Sequence, residues 1–168
     1  MEVTENLILN KKQLHQKIRR IAHQIAERNF KEKKLVIAGI PTTGFEIAKI
    51  LVRELKKIRS NEIVLAKIDI DKANPAKSEV RVDIDSNSLK NACLIIVDDV
   101  LNTGRTFVYS MKPFLDVDLK KIETVAMVNR AHRFFPVTAD YTGYEMATTL
   151  KDHVKVVISK EDTGVYLL

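Results

Sequence analysis

Cys93 to Val97 is an unbroken apolar run that ends directly on two carboxylates, Asp98 and Asp99. A short run with no alternating polar face is the pattern of a parallel strand covered on both sides. Parallel neighbours need crossover connections, usually helices, so this segment calls for an α/β layer arrangement. The rest of the chain agrees. Residues 10–29 read as an amphipathic helix, with Asn10 as N-cap and Gln13 completing a capping box. Leu14, Ile18, Ile21, Ala22 and Ile25 fall on its apolar stripe. Leu35 to Ile40 is a second buried strand, stopping in the turn Gly39 to Gly44, and Phe45 to Ile58 has helical spacing. A strand is predicted over Ile63 to Ile70, a loop over Asp71 to Glu79 around Asn74-Pro75, and an exposed strand over Val80 to Ile84. A helix follows from Thr103 to Leu115, with Pro113 in its last turns, then a buried strand over Ile122 to Val128. Short strands are predicted at 139–141, 154–158 and 165–167. The expected fold is α/β, with a central, mostly parallel sheet flanked by helices.

A length of 168 residues suits one domain, 1–168, and 45% apolar residues are enough for a core without staples. A single cysteine excludes an internal disulfide and points to a reducing compartment. The sequence shows neither a signal-peptide run nor a membrane span, so a soluble cytoplasmic protein is expected. The net charge of +6 is concentrated. Residues 10–34 carry nine lysines and arginines against Glu27 and Glu32, leaving the remainder close to neutral. Such a patch suits RNA or a phosphorylated ligand, or is simply a solvated helix face.

In open α/β sheets, ligands bind beyond the carboxyl ends of the strands. Two loops lie there, 40–44 and 98–106. In the second, Asn102, Thr103, Gly104, Arg105 and Thr106 open a helix, where consecutive N–H groups form an anion cradle. Gly104 permits close backbone approach, Thr103 and Thr106 offer hydroxyls, and Arg105 adds charge. Asp98 and Asp99 repel a phosphate but accept from vicinal sugar hydroxyls. A phosphorylated sugar satisfies all these groups at once; an acidic strand end capping an ordinary turn is the plainer reading. The Gly-x-x-x-x-Gly-Lys pattern of a Walker loop is absent.

The string from Leu94 to Thr106 matches the phosphoribosyl pyrophosphate (PRPP) signature of type I phosphoribosyltransferases. Further segments fall in order: Ile21 to Asn29, Gly39-Ile40, Ile68-Asp69-Ile70, Val97 to Leu101, Asn129 to Arg133, and Ala139-Asp140-Tyr141. Together, over about residues 7 to 168, they resemble the bifunctional pyrimidine-operon attenuators and uracil phosphoribosyltransferases. The resemblance implies the type I fold with a small hood over the site, Mg²⁺ bound mainly through PRPP, and a homodimer or larger oligomer. It implies that Asp98 and Asp99 hold the ribose hydroxyls and that Leu101 to Thr106 cradle the 5′-phosphate. Pro41, Thr42, Thr43 and Gly44 would meet pyrophosphate, while Asn129, Arg130 and Ala131 would lie near the base of a nucleobase or nucleoside monophosphate. Arg19, Arg20, His23 and Arg133 fall on the family's RNA-reading surface. The reaction it implies is transfer of phosphoribose from PRPP to a nucleobase, uracil first. Alternatives are a weakly catalytic, RNA-binding nucleotide sensor and, more distantly, a purine enzyme.

The chain departs from this family at defined places. Pro41-Thr42-Thr43-Gly44 stands where Lys-Thr-Arg-Gly is usual, and the 71–79 loop is short and lacks a Tyr-Arg-Asp-Asp cluster, with Lys72 or Lys77 as replacement charge. Asn129-Arg130-Ala131-His132-Arg133 replaces Asp-Arg-Gly-His-Arg, and Thr138 and Tyr144 replace basic residues of the RNA surface. Asn102 stands where purine enzymes have an aspartate, and an amide cannot move a proton as a carboxylate does. Cys93 is read as core. Tyr141 and Tyr144 suit either the base pocket or the core, and no histidine has metal-ligand spacing.

Overall fold

The computed structural model describes residues 6–168; residues 1–5 of the expected domain lie outside it. The elements run β1 (Asn6–Asn10), α1 (Lys11–Arg28), β2 (Lys34–Gly39), α2 (Thr43–Ile58), β3 (Glu62–Asp69), β4 (Arg81–Val82) and α3 (Ser86–Leu89). They continue with β5 (Cys93–Leu101), α4 (Arg105–Ser110), a 3₁₀ turn (Lys112–Phe114), β6 (Lys121–Asn129), β7 (Tyr141–Glu145), β8 (Val154–Ile158) and β9 (Thr163–Leu167). Six strands form the main sheet in the order β4-β3-β2-β5-β6-β7. All its pairs are parallel except β3–β4. The remaining three form a small antiparallel sheet, β1-β9-β8.

The apolar runs fill two cores because successive strand side chains point to opposite faces. Leu35, Ile37, Ile95 and Val97 pack with α1 and α2 on one side. Val36, Ala38, Leu94 and Ile96 pack with Leu89, Phe107 and Phe114 on the other. The α1 stripe is fully buried, and the Asn10–Gln13 capping box closes through both hydrogen bonds, each 2.9 Å. No helix among the described residues is long and apolar enough to cross a membrane.

Several boundaries differ from the sequence expectation. β5 does not stop at Val97. It runs through the acidic pair to Leu101, because β6 continues to pair with it as far as Leu101↔Asn129. The helix expected over 103–115 is only six residues followed by the 3₁₀ turn. Gly104, left-handed at φ 86°, delays its start. Its end falls where the Ser110 hydroxyl turns back to the Phe107 carbonyl at 2.6 Å and Pro113 brings no N–H. The exposed strand is two residues rather than 80–84, and the one expected at 139–141 starts only at Tyr141 and runs to Glu145. β1 and α3 have no counterpart in the sequence reading.

Candidate active site

The end of β5 places Asp98 and Asp99 side by side at the carboxyl edge of the main sheet. A cavity of about 190 Å³ opens there, lined by Lys72, Asp98 to Phe107, and Val154 from β8 of the small sheet. Asp98 is 2% exposed. Its Oδ1 accepts from the Asp99 N–H at 2.9 Å and from the Lys72 ammonium at 3.0 Å. The same ammonium lies 3.8 Å from Asp99 Oδ1, which also accepts from the Val100 N–H at 2.8 Å. Burial pushes the Asp98 carboxyl well above the usual carboxylate range; the Asp99 charge adds to this, and Lys72 only partly opposes it. Burial alone would lower the Lys72 ammonium, but the two carboxylates outweigh it and hold its pKa above the ordinary lysine value.

The 102–106 turn is held from outside. The Thr103 carbonyl accepts from the N–H groups of Phe134 and Phe135 at 2.9 and 3.0 Å. The Thr103 hydroxyl accepts from the Arg105 N–H at 3.2 Å. A side chain at Gly104 would meet the Phe135 carbonyl at 3.3 Å, in a backbone conformation that L residues rarely adopt.

Residues 41–44 approach from β2, and the Pro41–Thr42 peptide is cis. Gly44 abuts the acidic pair: a Cβ there would lie 2.8 Å from the Val97 carbonyl and 2.9 Å from Asp98 Cα. None of Pro41, Thr42, Thr43 and Gly44 is part of the cavity wall. Because the atoms against Gly44 are backbone, Gly44→Ala is expected to cost about 1–3 kcal/mol and to displace Asp98. Thermal melting and a PRPP-binding titration together check it, since destabilisation without loss of binding would separate Gly44 from the site.

Asn129, Arg130 and Ala131 do not line the cavity either. Arg130 faces inward: Nη1 donates to Asn102 Oδ1 at 2.8 Å, Nε to the Thr148 hydroxyl at 2.8 Å, and Nη2 to the carbonyls of Thr149 and Asp152. It braces the 102 turn against residues 148–152. Ala131 sits at φ 60°, with its N–H on Asn129 Oδ1. A left-handed alanine is strained by roughly 1–2 kcal/mol, and the greater unfolded-state freedom of glycine cancels part of that. Ala131→Gly is therefore expected to raise stability by about 0.5–1 kcal/mol, read as a higher denaturation midpoint. An unchanged or lower midpoint would contradict the strain.

Lys72 contributes the lysine of the site; Lys77 does not line the cavity and bonds through its N–H to the Asn74 carbonyl. In sequence the two lysines stand equal, since nothing in spacing says which lysine after a strand turns inward. Val154 carries no local signal; only the fold brings β8 over the cavity. Tyr141 belongs to the core, 2% exposed, and Cys93 is buried, its thiol pushed up to about 12 by burial. On α1, His23 is exposed, Arg19 lies 3.7 Å from Glu54, and Arg20 reaches the Gly143 carbonyl at 3.5 Å. Arg133 is exposed.

An acidic pair on the central strand, a Thr-Gly-Arg-Thr turn and an overlying three-stranded sheet define a phosphoribosyltransferase architecture. A phosphoribosyl transferase domain model matches residues 6–159, and the chain belongs to the type I phosphoribosyltransferase family. It is 32% identical over 168 residues to the bifunctional protein PyrR of Bacillus pumilus, covering 93% of this chain and 92% of that one. It is 35% identical over 162 residues to the bifunctional protein PyrR of Actinobacillus pleuropneumoniae serotype 5b, covering 90% and 89%. Among solved structures, a hypoxanthine-guanine phosphoribosyltransferase from Bacillus anthracis superposes with a TM-score of 0.71 at 23% identity, covering 88% of this chain and 85% of that one. That likeness establishes the shared fold.

Proposed function

We propose that the protein transfers the phosphoribosyl group of PRPP to a pyrimidine base, uracil, releasing pyrophosphate. The observation that carries this reading is that Asp98, Asp99 and the 102–106 turn line one cavity. The acidic pair would accept from the ribose hydroxyls, and the turn would receive the 5′-phosphate. In the reaction, the bond from the anomeric carbon to the diphosphate oxygen breaks with its electron pair on the diphosphate. The base nitrogen bonds to that carbon and loses its proton. The developing positive charge on the sugar is stabilised electrostatically by the acidic pair.

Magnesium fits this site as an ion carried by the substrate. Among the described residues no group of three or more His, Cys, Asp or Glu converges into a metal cage, whereas one or two carboxylates suffice when phosphates and waters supply the remaining ligands. Asp99, half-buried in the cavity wall, would contribute a ligand. The ion would neutralise charge on the leaving diphosphate.

A second reading, a weakly catalytic nucleotide sensor that contacts RNA, is favoured by the absence of any charged side chain in 41–44. Asn102 argues against a purine enzyme, because its side chain is held by Arg130 and is an amide. We place the protein in the cytoplasm, as a homodimer or larger oligomer. The test is pyrophosphate release from PRPP and Mg²⁺ with uracil, hypoxanthine or guanine. Release with uracil alone supports the proposal; release with a purine alone overturns the base assignment. UMP binding without turnover moves the site to the sensor reading, and RNA titration of Arg19, Arg20, His23 and Arg133 alanine variants follows.

A further inference from the structure

A second cavity, of about 500 Å³, opens between the start of α1, α2 and the turn joining β8 to β9, and it shares no lining residue with the one at Asp98 and Asp99. Four fixed cations converge on it from three elements: Lys11 from α1, Lys49 and Arg53 from α2, and Lys160 from the turn. His15 lies among them, and Glu46 is the one carboxylate among the residues of its wall. Glu46 is already paired with Lys49 at 2.8 Å. Glu54, further along α2, is taken by Lys57 at 2.8 Å and by Arg19 at 3.7 Å. In the turn, Asp162 accepts from the Tyr166 hydroxyl at 2.7 Å. Among the described residues, none of Lys11, Arg53 and Lys160 has an ion-pair partner.

The stability of the fold does not call for this arrangement. Lys11 opens α1, where the helix dipole favours acids, and that first turn holds none. Burial lowers the His15 imidazole below its ordinary pKa; Lys11, Arg53 and Arg19 add to this, against the opposing charge of Glu54. The turn that carries Lys160 is pinned: the Ser159 N–H and hydroxyl both donate to the Asp162 carbonyl at 2.8 Å, and the Thr163 hydroxyl donates to the Ser159 carbonyl at 3.0 Å. Unpaired cations held on three elements around one cavity raise the local concentration of anions there, and its volume is in the range of small-molecule sites.

We propose that this cavity binds a small oligophosphate anion, inorganic triphosphate or the triphosphate tail of a nucleotide, held between α1, α2 and the β8–β9 turn. An oligophosphate, rather than a single phosphate, matches four fixed cations. The assignment does not depend on the PRPP reading.

The experiment is calorimetric titration of the full-length chain with inorganic triphosphate, joined to proton NMR of the histidine rings. His15→Gln assigns the His15 signal, and His23, two turns further along α1, is the internal reference. Bound triphosphate is expected to move the His15 titration to higher pH, because an anion offsets Lys11 and Arg53, and to leave that of His23 in place. The double variant Arg53→Gln, Lys160→Gln changes two exposed side chains and is expected to weaken triphosphate binding by about 10-fold or more. The double variant Lys56→Gln, Lys77→Gln removes the same charge outside the cavity and is expected to change it by less than about threefold. Melting curves establish that the variants are folded. ATP or GTP binding as tightly as triphosphate places the ligand among nucleotides; weaker binding by both places it among free oligophosphates. No saturable binding, an unmoved His15 signal, or equal losses in the two double variants overturns the site. Binding of single-stranded RNA without binding of triphosphate, lost in Arg53→Gln, Lys160→Gln, gives the cavity to nucleic acid and overturns it as well.

Discussion

Asp98→Asn is expected to give a protein that is more stable and nearly inactive. The carboxylate is buried at the end of β5, and its pKa is pushed upward by that burial and by Asp99. A carboxyl whose folded pKa exceeds its unfolded value favours the fold at low pH, and that contribution is lost as pH rises through the folded value. At neutral pH the buried Asp98 carboxyl is therefore a burden on the fold. Asparagine preserves the shape and can accept the Asp99 N–H and Lys72 contacts on Oδ1. The gain should be about 1 kcal/mol, visible as a higher melting temperature at pH 7–8 and shrinking as pH falls. Under the proposed function the same change weakens the acidic pair that would face the sugar, so PRPP-dependent turnover should drop by roughly 10²-fold or more. A destabilised Asp98→Asn would contradict the electrostatic account of this position.

The largest stability loss is expected at the other end of the sheet. Asn29 follows α1 and is fully buried. Its Nδ2 lies within hydrogen-bond distance of the Ile25 carbonyl, Glu123 Oε2 and the Tyr141 hydroxyl, and its Oδ1 accepts from Cys93 Sγ at 3.3 Å. Burial alone would raise the Glu123 carboxyl, but hydrogen bonds from Asn29, Lys121 and Tyr141 outweigh it and hold the pKa below the ordinary value. Asn29→Ala leaves that carboxylate underpartnered in the core, a loss of about 3 kcal/mol, or roughly 6–12 °C in melting temperature for a chain of this size. A depressed carboxyl stabilises the fold above its unfolded pKa and loses that contribution as pH falls through the folded value. The deficit of Asn29→Ala relative to wild type should therefore be full at neutral pH and narrow below about pH 4.3, the ordinary glutamate value. Cys93→Ser at the same cluster would separate the thiol from the amide contribution.

The layer order of this fold was legible because its strands are continuous apolar runs and its first two helices carry clean stripes. Leu14, Ile18, Ile21, Ala22 and Ile25 all reach zero exposure, and Asn10 and Gln13 form the capping box their spacing implies. The candidate site was legible as a string because strand, acids and turn are consecutive in sequence. Their contacts with the rest of the chain were not. Arg130 has the same composition signal whether it faces a base or ties Asn102 to residues 148–152, and tertiary contact chose the second. Tyr141 was open between pocket and core until Glu123 and Asn29 met it from distant segments. β1 escaped notice because its burial comes from β9, more than 150 residues away in sequence. Gly44 pressing on Asp98 is a backbone contact and leaves no periodic trace.

In the proposed function Asp98 and Asp99, with the 102–106 turn, bind the phosphoribosyl group of PRPP. Calorimetric titration of wild type and the Asp98→Asn, Asp99→Asn double variant with PRPP and Mg²⁺ tests this. Saturable one-to-one binding by the wild type is expected, with its loss in a double variant that still melts cooperatively. Binding of undiminished affinity in that variant, or no binding by the wild type, would contradict it.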